Sequence, residues 1–60
     1  MNLYILTPDE KIYAIQDNID GWSQRDIDII CEIHAKQGRK FEMSELDMPE
    51  FKDILSKRVS

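Results

Sequence analysis

Two short runs, Leu3-Tyr4-Ile5-Leu6 and Ile12-Tyr13-Ala14-Ile15, restrict this chain's fold more than anything else in it. Successive residues of a strand point to opposite faces. Leu3 and Ile5 therefore share one face and Tyr4 and Leu6 the other, with Ile12/Ala14 and Tyr13/Ile15 dividing in the same way. Pro8-Asp9-Glu10 separates the runs. Proline presets φ for the first corner of a turn and Asp can bond its own backbone there, so residues 3–7 and 11–16 are predicted to form a β-hairpin. Both of its faces are apolar. One can cover helices; the other requires solvent or a partner.

The rest of the chain offers little with which to meet that demand. Sixty residues make one domain, residues 1–60, near the lower end of what folds alone. Cys31 is the only cysteine, so no internal disulfide can form, and a lone thiol fits a reducing compartment, the cytoplasm. The opening MNLYIL lacks the basic region and long apolar run of a signal peptide, and no apolar run approaches a membrane span.

Two helices are predicted after the hairpin. Ser23 is a good N-cap, with Asp26 three residues on to complete a capping box. Ile27, Ile30, Cys31 and His34 then follow helical spacing, and Gly38 supplies the stop. Arg25/Asp28 and Glu32/Lys36 place ion pairs on the outer side. Ile29 and Ile33 lie outside the stripe and widen the apolar arc past half the helix, which implies contacts on two sides. The hairpin is expected to cover one side and the last helix the other, or else the spare isoleucines form a docking edge. Asp47, Pro49 and Glu50 signal the second helix near 48–58, with Met48, Phe51, Ile54, Leu55 and Val59 as its buried face. Residues 41–43 fit a short third strand. The fold class expected is α+β: an N-terminal β-hairpin followed by two α-helices (ββαα), with that third strand as an addition.

At 33% charged and 42% hydrophobic the chain is too apolar for a disordered tail. Its net charge of −4 is concentrated in residues 1–35, which disfavours non-specific attraction to nucleic acid or anionic lipid and suits a basic partner. Cys31 and His34 lie three apart on one helical face, as a nucleophilic pair or half a metal site requires. Structural zinc needs four ligands, and a second pair is missing. The segment Asp17-Asn18-Ile19-Asp20-Gly21 echoes a calcium loop, but with the glycine aligned on Gly21, Ile27 stands where the bidentate Glu must be. Asn18 reads instead as a turn residue able to adopt a left-handed conformation. No catalytic residue, metal or cofactor is assigned.

Trp22-Ser23, Asp26, then Gly38-Arg39-Lys40-Phe41 and Arg58 loosely resemble the Myb/SANT pattern of three short helices. The resemblance covers residues 22–59 at most. It implies a helix-turn-helix domain that reads nucleic acid or regulates transcription, with Arg39, Lys40, Lys52 and Lys57 as the contacts.

The preferred reading is a small acidic protein–protein interaction module, an inhibitor or modulator of a larger protein or a self-associating accessory protein. Its partner is another protein or a second copy, with no membrane involved. The expected contact residues are Tyr4 and Tyr13 on the outer hairpin face, with Trp22, Ile29 and Ile33. Trp22 can also plug the junction between hairpin and helix.

Overall fold

A computed structural model of the chain describes residues 1–58. Strands β1 (Asn2–Leu6) and β2 (Ile12–Gln16) form the hairpin, and a single 3-10 turn (Ile19–Gly21) leads into helix α1 (Gln24–Lys36). Strand β3 (Lys40–Ser44) and helix α2 (Met48–Arg58) complete the order ββαβα. The third strand expected near 41–43 is present, and it lies between the two helices in sequence. The sheet order is β2-β1-β3, with β1 antiparallel to both neighbours. β2 and β3 are therefore parallel to each other, joined by the α1 crossover that passes β1.

β1 is enclosed on every side. Leu3 and Ile5 are fully buried with Ile19, Ile27 and Cys31 under α1, and Ala14, Trp22 and Ile30 pack around them. Tyr4 and Leu6 are buried with Phe51 and Leu55 under α2, with Ile12, Ile15 and Leu46 alongside. The sheet thus separates two helix layers. This corrects the expectation that the hairpin covers one side of α1 and the last helix the other. Tyr4 and Leu6 make the second sheet face as apolar as the first, and the Phe51/Leu55 stripe of α2 satisfies it. Each such side chain contributes about 1.5–3 kcal/mol on burial.

A β-bulge corrects a second expectation. Ile5 is opposite Ala14 but Leu6 is opposite Ile12, so Tyr13 is an extra residue on β2. Strict alternation ends there. Ile12 joins Ile15 on the α2 side, while the Tyr13 ring turns toward the end of α1, edge-on to His34.

The helix ends follow local chemistry. Ser23 Oγ accepts the Asp26 backbone N–H at 3.2 Å. At the other end, Gly38 has φ +83°, its N–H donates to the Ala35 carbonyl, and the Arg39 N–H reaches back to the His34 carbonyl at 3.0 Å. That double closure satisfies carbonyls the helix would otherwise leave open, and it needs a residue at positive φ. α2 opens with the Phe51 N–H donating to the Asp47 carbonyl at 2.9 Å. Within its expected buried face Phe51 and Leu55 are buried, Ile54 is half-buried and Met48 is exposed; Val59 lies outside the described residues.

Candidate functional site

Of the α1 isoleucines, Ile27 turns into the core, whereas Ile29 and Ile33 remain 47% and 50% exposed. One turn separates them, so they share a flank of the helix. Ile29 continues into a small cleft of about 270 Å³ lined by Trp22, Asp26 and Ile30. Trp22 is half-buried: part of it packs on the cluster beneath α1, and the rest lines the cleft. Polar partners stand on other turns of the same helix. Lys36 pairs with Glu32 at 3.3 Å, and Gln24 donates to Asp28 at 2.9 Å, so Asp28 is engaged by Gln24 where sequence spacing suggested Arg25.

Tyr13 stands at the C-terminal end of α1. It is 54% exposed, the Arg39 guanidinium lies 3.8 Å from its ring centroid, and His34 stands edge-on at 6.2 Å. Arg39 Nη1 lies 3.1 Å from His34 Nδ1. Arginine only donates, so Nδ1 accepts. Tyr13, His34 and Arg39 thereby form one polar-aromatic cluster at the C-terminal end of α1.

Tyr4 does not belong with them. It is fully buried, stacked on Phe51, and its hydroxyl donates to the Leu46 carbonyl at 2.6 Å. The expected outer hairpin face carrying Tyr4 and Tyr13 together does not exist, because the bulge sends Tyr13 to the α1 side and α2 covers Tyr4.

Cys31 and His34 stand in different surroundings. Cys31 sits in the core, where burial, with a smaller contribution from the Asp28 charge, pushes its thiol above the ordinary value. His34 is engaged by Arg39 and Tyr13. In the segment before α1, Asn18 adopts the expected left-handed conformation, φ 54°, and its N–H donates to Asn2 Oδ1. The Asp20 carboxylate accepts from the Met1 amine at 2.7 Å. Among the described residues no group of three or more His, Cys, Asp or Glu side chains converges as a metal site requires.

The four basic residues of the Myb/SANT resemblance are dispersed over the loop before β3, β3 itself and α2. Arg39 covers Tyr13, Lys40 pairs with Glu10 at 2.9 Å, Lys57 pairs with Asp53 at 3.2 Å, and Lys52 lies on α2 beside an apolar cleft. β3 occupies residues that the Myb/SANT resemblance assigns to its helices, so the three-helix domain it implies is not formed.

That apolar cleft was not anticipated. It measures about 720 Å³, is open to solvent, and runs between β2 and α2, with Ile12, Ile15, Met48, Lys52, Leu55 and Ser56 among its lining residues. It exists only because α2 packs on the hairpin, a long-range contact for which the sequence carries one signal: a hairpin apolar on both faces. No helix among the described residues is long and apolar enough to cross a membrane. No family model, no curated protein and no solved structure matches the chain.

Proposed function

We propose that the protein is a binding module, an inhibitor or modulator that docks on a larger protein through the outer flank of α1. Ile29 and Ile33 form the apolar centre of the contact, Trp22 anchors one end, and Tyr13 closes the other. The observation that carries this reading is the half exposure of Ile29 and Ile33 beside a cleft that a partner's side chain can fill. Trp and Tyr are enriched among residues that dominate interface energetics, and a partly buried Trp is already ordered before it binds. The carboxylates of Asp26, Asp28 and Glu32 on the same helix, with the net charge of −4, favour a partner whose contact surface is rimmed with Lys or Arg. The single, buried Cys31 accords with action in the reducing cytoplasm.

Affinity capture from native lysate, with nuclease present throughout, tests this. A partner retained by the wild-type chain and lost with Ile29→Asp or Ile33→Asp, each variant keeping its native circular dichroism, supports the reading. Retention by both folded variants, or capture that disappears with nuclease, refutes it.

A further inference from the structure

The two edges of the sheet differ. β2 carries the Tyr13 bulge, a device that blunts edge pairing, whereas β3 pairs with β1 in unbroken register from Lys40 to Ser44. Among the described residues no strand pairs with the outer side of β3. Phe41 and Met43 are opposite Ile5 and Leu3 and so lie on the α1 face, where they remain 47% and 44% exposed. Lys40 and Glu42 are opposite Leu6 and Tyr4 on the α2 face. They are held there by Glu10 at 2.9 Å and by Arg58, whose guanidinium grips both carboxylate oxygens of Glu42 at 3.0 and 3.1 Å.

We propose that β3 is a dimerisation edge: two copies of the chain pair antiparallel through it, with Phe41 on the two-fold axis and Lys40 opposite the partner's Glu42. This uses a different element from the α1 docking flank and does not depend on it. Charge pattern selects the register. Residues directly opposite in an antiparallel pair share a face, so one residue of β3 must sit on the axis. Lys40 or Glu42 on the axis sets like charges against each other. Met43 there places Glu42 opposite Ser44 and Phe41 opposite the acidic Glu45, and Ser44 there places Met43 opposite Glu45 and Glu42 opposite Leu46, with no opposite charges matched. Only Phe41 on the axis matches opposite charges, and it does so twice, once on each side. The same register brings the two exposed Phe41 rings together and continues the sheet as β2-β1-β3-β3-β1-β2 across the pair.

The test is sedimentation equilibrium of the full chain over a concentration series. The wild type is expected to reach twice its 7.1 kDa mass, Glu42→Lys to remain monomeric, and Lys40→Glu combined with Glu42→Lys to dimerise again. The double reversal leaves the bridges to Glu10 and Arg58 broken, so its recovery reports pairing between copies and not repair within one. A second measurement stands even if Glu42→Lys loses its circular dichroism. Phe41→Cys is expected to form a covalent dimer under mild oxidation, because residues opposite on an axis lie about 4.5 or 5.5 Å apart, within disulfide reach. Glu42→Cys is expected to cross-link far more slowly. A wild-type mass of 7.1 kDa at every concentration, a dimer unaffected by Glu42→Lys, a double reversal that stays monomeric, or faster cross-linking at position 42 than at 41 overturns the proposal.

Discussion

The Tyr4 ring lies flat on that of Phe51, with centroids 3.8 Å apart and planes 9° from parallel. One residue belongs to the first strand and the other to the last helix, so this contact ties the two ends of the fold together. Removing the Phe51 ring leaves Tyr4 facing a void. Phe51→Ala is expected to cost about 3–5 kcal/mol, against a total stability of roughly 0.1 kcal/mol per residue for a domain of this kind. Urea denaturation should find most of the stability gone, as a midpoint far below that of the wild type.

The Tyr4 hydroxyl has its own role. Its bond to the Leu46 carbonyl is worth about 1 kcal/mol, and Tyr4→Phe should lose that amount in urea. Burial also raises the Tyr4 phenol above its ordinary value of 10.0. The unfolded chain therefore ionises first, so stability is intact below pH 10 and falls as pH rises from there toward the higher folded value. Tyr4→Phe should flatten this alkaline decline in stability, measured as the urea midpoint against pH.

Cys31 is expected to behave as a core residue. Its thiol is shielded and its thiolate disfavoured by burial, so an aromatic disulfide reagent should modify it slowly in the native state and rapidly in urea. Rapid modification without denaturant would show that the α1 core opens locally.

Gly38 closes α1 at φ +83°, although nothing stands within 4 Å of where a Cβ would lie. Space is therefore not the constraint; backbone conformation is. Gly38→Ala should cost about 1 kcal/mol, seen as a lower urea midpoint with an unchanged slope.

Ile29→Asp and Ile33→Asp should each change stability by no more than about 0.5 kcal/mol, the range for surface positions. Thermal unfolding checks this, and a much larger loss at either site would make that isoleucine part of the core.

The parts of the fold that depend on local chemistry were legible from the residues. Ser23 with Asp26, Gly38, Pro8-Asp9-Glu10 and the spacing of Phe51 and Leu55 each name an element or its end, and each is where expected. What escaped sequence reading depends on contacts between distant segments. The insertion of β3 beside β1 pairs residues 40–44 with 2–6, and no short motif announces it. The bulge shifts register by one at Tyr13, which is enough to send a side chain to the opposite face. Tyr4 pairs with Ile15, away from the bulge, and is buried because the second apolar face of the hairpin receives α2 rather than solvent or a partner. Ile29 and Ile33 could be marked as surplus to one stripe of a helix, but only the packed structure shows that neither the sheet nor α2 takes them up.

β1 comes first in the chain and is completed last. Its two edges wait for β2 and β3, and its two faces wait for α1 and α2, the latter ending at Arg58. No shorter leading fragment encloses Tyr4 and Leu6. Enclosing β1 accordingly requires elements from nearly the whole length of the chain, and any fragment cut before α2 carries an apolar strand with one face bare. Such a fragment is a substrate for chaperones or for aggregation and not a smaller version of the protein.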